Sequence, residues 1–241
     1  MDNFIDHYTR NGFAKVSFKE IDSLKLKMSK ILGFSDFDNI HELVTPSEIN
    51  DLRLKIISGL SNKEVKDHIY SSLDDELNAL IGSEIAIQKN INVNIQIPGC
   101  DQSLIPFHSD VLCGNSPYEV VVWIPFVNVY DTKSFFVYDL ETSALIKEDI
   151  RANVSRSELE KKYLKKKKFI ELKVGEALVF SPFLMHGNQV NEHSETRLSL
   201  NIRFKNYFSP YHDKKLLSYF EAYKLGTQTR LALNYEASYE L

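Results

Sequence analysis

From residue 84 onward the apolar residues of this chain change period, and that change restricts what it can fold into. Ile87, Ile91, Val93, Ile95 and Ile97 fall on one face of an extended segment, and Gln88, Asn90, Asn92, Asn94 and Gln96 fall on the other. A strand with one apolar and one amide face buries the first and leaves the second for water or a polar cavity, as antiparallel sheets allow. Pro98-Gly99 closes the segment. Further strands are expected at 104–110, 118–126, 133–140, 168–173, 176–181 and 196–205.

Before residue 84 the spacing is mainly helical. A short helix is expected over Asn3 to Arg10, then a strand from Phe13 to Phe18 after the break at Asn11-Gly12. Ile21, Leu24, Met28, Ile31 and Leu32 predict a helix over 20–33 that Gly33 ends. Thr45-Pro46-Ser47-Glu48 reads as a helix start, and another helix is expected over Lys63 to Leu80, stopping at Gly82. A polar helix or lid is expected at 155–167, and a terminal helix at 213–224. These elements predict a mainly β fold with flanking α: a double-stranded β-helix, or cupin-like jelly roll, with N-terminal helices packed on one sheet. The expected organisation is a single domain over 1–241, with a helical part at 1–83, a jelly-roll core at 84–206 and a C-terminal helical extension at 207–241.

Composition excludes several classes. A formal net charge of −4 gives no general pull toward nucleic acid or an anionic membrane. Cys100 and Cys113 are too few for a disulfide scaffold and suit a reducing compartment. The first residues lack the charged and apolar regions of a signal peptide, and no apolar run is long enough to span a bilayer. A cytoplasmic protein is expected, and a homo-oligomer is compatible with the sequence. Neither Gly-x-Gly nor Gly-x-Ser-x-Gly occurs, which argues against a phosphate loop and a hydrolase elbow.

The chemistry-bearing residues follow the strands. His108 and Asp110 are two apart, so on a strand both side chains project to one side. Chance alone supplies roughly 0.4 His-x-Asp pairs at this composition, so the pair is weak by itself. His186 follows the apolar strand Ala177 to Phe180, from where it can reach a facing sheet. Two imidazoles and a carboxylate fill one face of an Fe(II) ion and leave the other positions open. His193 and Glu195 form a competing pair, but they sit in a polar turn. Arg197 and Ser199 share one strand face, where a guanidinium fork and a hydroxyl can hold the carboxylate of an α-keto acid. In the alternative register, Arg203 is followed by Lys205 where the hydroxyl belongs. Lys161, Lys162 and Lys165 to Lys168 read as solvated surface or as an electrostatic guide for an anionic substrate. Phe107, Trp123, Phe126, Phe135, Phe136 and Phe183 read as core.

On these residues the chain, from about 84 to 205, resembles the Fe(II)/2-oxoglutarate-dependent oxygenases. It is most similar to the phytanoyl-CoA-dioxygenase-like branch and to oxygenases of carbohydrate and antibiotic-sugar clusters. The opening Ile5 to Phe13 and the Trp123-Ile124-Pro125-Phe126 strand also resemble that branch. The resemblance implies a hydroxylase in which His108, Asp110 and His186 bind iron, and Arg197 with Ser199 binds the distal carboxylate of 2-oxoglutarate. It implies that Asn94 or Gln96 holds the other end of the co-substrate, with O2 as oxidant and succinate and CO2 as products. Some members of the wider superfamily use Lys for the carboxylate, a role that Arg197 makes unnecessary for Lys133. Halogenases of this type lack the carboxylate that Asp110 retains. The implied substrate is a small molecule, a carbohydrate or nucleotide-sugar. Two alternatives share the fold: a cupin-like isomerase or dioxygenase that needs no keto acid, and a non-enzymatic sugar-binding jelly roll.

Overall fold

A computed structural model describes residues 2–237. The chain opens with α1 (Asp2–Asn11), β1 (Phe13–Ser17), α2 (Ile21–Leu32), α3 (Ile49–Leu60), α4 (Lys63–Ser71) and α5 (Asp74–Ile81). It continues with β2 (Ile85–Gln88), β3 (Asn92–Gln96), β4 (Glu119–Pro125), β5 (Phe136–Val137), α6 (Leu140–Arg151) and α7 (Arg156–Tyr163). The rest comprises β6 (Lys168–Phe169), β7 (Glu176–Phe180), β8 (His186–Gly187), β9 (Arg197–Asn206), β10 (Phe220–Lys224) and α8 (Thr227–Ala237). The larger sheet runs β1-β7-β4-β9-β2-β10, with β3 pairing β9 beyond the end of β2, and the smaller runs β6-β5-β8.

Local chemistry explains most boundaries. Gly33 ends α2 in the left-handed region at φ 88°, and its N–H donates to the Ser29 carbonyl. The Glu48 carboxylate accepts from the Thr45 N–H at 2.8 Å, closing the start of the turn that leads into α3. Ile21, Leu24, Met28 and Leu32 of α2 are buried, each contributing about 1.5–3 kcal/mol of apolar burial. Helix α3 packs on β3, and α5 packs on β4 and β9, so N-terminal helices cover the larger sheet. Among the described residues no helix is long and apolar enough to cross a membrane.

Six expectations need correction. The strand expected at 168–173 is only β6, Lys168–Phe169, with an isolated bridge between Leu172 and Val129 beyond it. The helix expected over Lys63 to Leu80 is two helices, because Leu73 is fully buried and Asp74-Asp75-Glu76 starts a new N-terminus, where acids oppose the helix dipole favourably. The single amide-faced strand is two, β2 and β3. The Gln88 side-chain amide donates to the Asn90 carbonyl at 2.6 Å, closing the turn between them. Segment 104–110 contributes only a bridge at His108 rather than a strand. The strand expected at 133–140 shrinks to Phe136–Val137, since Asp139 accepts from the Thr142 N–H at 2.9 Å and caps α6. The helix expected at 213–224 is instead β10, whose Phe220 is buried and whose backbone pairs with β2. The strand expected from Phe13 to Phe18 is β1, which pairs with β7 in the larger sheet, and the C-terminal part adds β10 beside its helix.

Candidate metal centre and co-substrate pocket

His108 and His186 face each other across an antiparallel bridge. Each donates its backbone N–H to the other's carbonyl at 2.8 Å, which brings the ring centroids to 4.5 Å. The Nδ1 of His108 lies 2.9 Å from the Pro106 carbonyl, and that of His186 lies 2.9 Å from the Leu184 carbonyl. A carbonyl only accepts, so both Nδ1 atoms carry the proton and both Nε2 atoms present a lone pair. Asp110 begins a short 3-10 turn that Gly114 ends at φ 87°. Its Oδ1 lies 3.7 Å from His108 Nε2, and one ligand atom from each of the three residues falls within 4.8 Å of the others. This is the one such group among the described residues.

The bridge requires Gly187. A Cβ there would stand 2.8 Å from the Phe107 Cα and 2.9 Å from its nitrogen, both backbone atoms that cannot swing away. Gly187→Ala is expected to destabilise the fold by about 1–3 kcal/mol through overpacking. It should also weaken divalent-metal affinity by displacing His108, and denaturant melts with metal titration check both.

A second polar shell sits behind the triad. Arg203 Nη2 lies 2.8 Å from Asp110 Oδ2, and both side chains are buried. Arg203 Nη1 donates to the Gln88 side-chain Oε1 at 3.3 Å and to the Tyr219 hydroxyl at 3.3 Å. Glu119 stands 3.9 Å from Arg203 Nε and accepts from Asn115 and the Ser116 N–H, both at 2.7 Å. Burial alone would raise the Asp110 carboxyl, but Arg203 and His108 outweigh it and hold the group well below the usual carboxylate range. Burial depresses the His186 imidazole. For His108 burial pulls the same way, yet the Asp110 carboxylate and the Pro106 carbonyl together prevail and raise it. The result is an anionic oxygen beside two basic nitrogens, a donor set that fits Fe(II) and similar divalent metals.

The triad opens into a cavity of about 250 Å³ between the two sheets, walled by Trp123, Phe135 and Phe180. Trp123 stacks edge-on against Phe135 at 4.7 Å, and Phe180 against His186 at 5.3 Å. Trp123 and Phe135 are therefore cavity wall as well as core, and Phe183 is exposed rather than buried. Arg197 lines the same cavity and is buried; its Nη2 donates to Asn94 Oδ1 at 2.6 Å. Its Nε and Nη1 have no partner, nor does the Ser199 hydroxyl, although all three atoms are buried. Burial lowers the Arg197 guanidinium to about 9, so it stays charged at neutral pH. A buried cation without a counter-ion is costly unless an anion arrives to pair with it. The free fork and hydroxyl therefore fit a carboxylate.

The structure thus brings His108, Asp110, His186, Arg197, Ser199 and Asn94 to one cavity. Asn94 lies at the Arg197 end and orients the guanidinium. Gln96 is not at the cavity: it is fully buried, and its amide donates to the Gln189 carbonyl. His193 and Glu195 are occupied elsewhere, with His193 near Asp131 at 3.6 Å and Glu195 on Lys133. Lys133 is fully buried between Asp38 at 2.6 Å and Glu195 at 2.5 Å, away from the cavity. Lys133→Met should cost about 1–3 kcal/mol of stability, less than a wholly buried pair because both acids can rehydrate. It should leave 2-oxoglutarate affinity unchanged in a calorimetric titration.

The lysine run lies on α7 and the turn after it, and none of its residues lines the cavity. Leu159 and Tyr163 pack with Phe107, Phe136, Tyr138, Ile146 and Met185 in a second apolar cluster. Arg156 donates to the Phe107 carbonyl at 3.2 Å, so this segment buttresses the residue before His108 rather than forming a lid. The sequence reading leaves out Arg203 as the Asp110 partner, and Asn201 and Arg53 in the cavity wall, whereas Asn92 belongs to the amide face expected to meet water or a polar cavity. The signal was present in β9, where the alternation of Arg197 and Ser199 continues through Asn201 to Arg203.

Solved structures share this architecture. ThoJ, described as a non-heme monooxygenase, superposes in its apo form with a TM-score of 0.63 at 14% identity, covering 92% of this chain and 83% of its own. HygX from Streptomyces hygroscopicus, with nickel and 2-oxoglutarate bound, gives 0.55 at 12% identity and covers 90% of each chain. SnoK, a non-heme α-ketoglutarate-dependent carbocyclase from nogalamycin biosynthesis, gives 0.51 at 10% identity, covering 88% of this chain and 87% of its own. No family model and no curated protein matches the sequence. The fold is therefore the jelly roll of these non-heme oxygenases, at identities where fold alone is what the likeness establishes.

Proposed function

We propose that this chain is an Fe(II)- and 2-oxoglutarate-dependent oxygenase that hydroxylates a C–H bond of a small molecule, with a sugar or sugar-containing intermediate as substrate. The observation that carries this reading is the buried, unpartnered Arg197 fork beside the free Ser199 hydroxyl, in one cavity with His108, Asp110 and His186. A metal site alone would suit many chemistries. A metal site that shares its cavity with an unpaired guanidinium fork suits a keto-acid co-substrate. The fold neighbour HygX supports the reading, since it has been solved with nickel, 2-oxoglutarate and hygromycin B bound.

His108, Asp110 and His186 would hold the metal, which with 2-oxoglutarate and O2 supplies the oxidising power that yields the alcohol, succinate and CO2. The chain's own part is to position and exclude. The Nδ1 bonds to Pro106 and Leu184 fix both imidazoles. Arg203 holds Asp110 Oδ2, leaving Oδ1 toward the imidazoles. Arg197 and Ser199 receive the far carboxylate, and Asn94 keeps the guanidinium aimed. Trp123, Phe135 and Phe180 keep that region apolar and limit water near the reacting carbon. The chain is expected to work as one domain in the reducing cytoplasm, with Cys100 and Cys113 as free thiols.

The test is succinate formation from 2-oxoglutarate by the iron-loaded protein, screened across sugars, nucleotide-sugars and acyl thioesters. Stimulation by one class above the background identifies it. Turnover that proceeds without 2-oxoglutarate, or stoichiometric iron being absent from the protein, would overturn the proposal.

A further inference from the structure

The cavity wall carries more positive charge than the metal and co-substrate use. Its ionisable lining comprises Arg53, Arg197 and Arg203 against the single carboxylate of Asp110, a surplus of two positive charges with the imidazoles neutral. A divalent metal and a dianionic co-substrate cancel each other, so the surplus remains when both are bound. Arg203 is paired with Asp110 and Arg197 faces the co-substrate, which leaves Arg53.

Arg53 reaches the cavity from α3, which packs on β3. Its Nε donates to the Val93 carbonyl at 2.8 Å and its Nη1 to Asn50 Oδ1 at 3.2 Å. Both partners are neutral, so they fix the guanidinium without balancing its charge. No carboxylate pairs with it among the described residues. It is half-buried, and neighbouring Asn92 is exposed, whereas Arg197 and Arg203 are buried, so Arg53 and Asn92 mark the outer end of the cavity. Asn201 lies directly across from Asn92 in the β3–β9 register, and its amide oxygen is buried without a partner. A pre-positioned cation flanked by two amides, one unsatisfied, is suited to a ligand that offers an acid and hydroxyls.

We propose that this outer half is the substrate subsite, and that the substrate is an anionic, hydroxyl-bearing small molecule. Arg53 binds its phosphate or carboxylate, and Asn92 and Asn201 hydrogen-bond its hydroxyls. The proposal rests on the 2-oxoglutarate reading above and adds the substrate's charge to it.

Calorimetry on protein loaded with Ni²⁺ and 2-oxoglutarate, which binds without turning over, tests it with three probes: glucose 1-phosphate, glucuronate and glucose. At least one acidic probe should bind about tenfold or more tightly than glucose, in line with a charged hydrogen-bonded contact. Arg53→Gln should erase that preference, and Arg53→Lys should retain part of it, while 2-oxoglutarate affinity stays unchanged in both. Neither acid exceeding glucose, or a preference that survives in Arg53→Gln, overturns the proposal. The 2-oxoglutarate titration in the same protein separates the two readings. Failure of the wild type to bind 2-oxoglutarate counts against the oxygenase assignment, whereas normal binding without acid preference counts against the subsite alone.

Discussion

Arg197→Ala is expected to weaken 2-oxoglutarate binding by two to three orders of magnitude while leaving metal affinity nearly unchanged. The guanidinium has two donors with no partner, and the Ser199 hydroxyl beside it is equally free. Truncating one partner of a buried charge pair costs about 2–5 kcal/mol, and each 1.4 kcal/mol is a factor of ten. Stability should behave differently. The apo protein carries Arg197 as a buried charge with only the neutral Asn94 amide on it. Its removal relieves an unfavourable burial, so the apo variant should melt close to the wild type despite the cavity it creates. Arg197→Lys keeps the charge but loses the fork, and should recover only part of the affinity. Titration of 2-oxoglutarate into nickel-loaded protein, alongside thermal melts without metal, measures both quantities.

The second large effect is at Asp110, where one substitution should damage both metal binding and fold. Asp110→Ala removes the anionic ligand and strands Arg203, whose next carboxylate is Glu119 at 3.9 Å. Breaking a buried ion pair from one side costs about 3–5 kcal/mol, and Glu119 should keep the loss near the lower figure. Divalent-metal binding should fall below detection. The double variant Asp110→Ala with Arg203→Met removes the stranded charge too, so it should regain stability without regaining metal. The acid limb gives an independent check. Asp110 titrates below its unfolded range, so its contribution is full above about pH 4 and is lost as pH falls toward its folded pKa. Apo wild type should therefore lose stability on acidification more steeply than the Asp110→Ala variant.

How far the chain could be read in advance depended on the range of the interaction. The triad and Arg197-x-Ser199 were legible because ligand chemistry fixes residue type; a strand fixes the two-residue spacing of Arg197 and Ser199, whereas His108 and Asp110 converge through an isolated bridge and a 3-10 turn. Local caps were legible for the same reason: Gly33 and the Thr45–Glu48 pair act within one turn. The helix break at Leu73 was not, since only burial of that side chain against the rest of the core decides it. Likewise β10 could not be told from a helix before β2 was known to offer it an edge. What Lys133 does instead of binding a carboxylate co-substrate was not visible, since the partners that hold it lie 95 and 62 residues away. Gln96 and Asn94 share a strand face by spacing, but only Asn94 meets Arg197, because the cavity lies toward one end of β3. The role of Arg203 is hidden in the sequence because its partner Asp110 lies 93 residues earlier and meets it only through the fold.

The most direct measurement of the central claim is made without oxygen. Fe(II) and 2-oxoglutarate added to the purified protein should produce a weak metal-to-ligand charge-transfer absorption that saturates with 2-oxoglutarate. The same titration on Arg197→Ala should require far more co-substrate to reach the same intensity. No absorption from the wild type at saturating 2-oxoglutarate, together with unchanged co-substrate affinity in Arg197→Ala, would contradict the account.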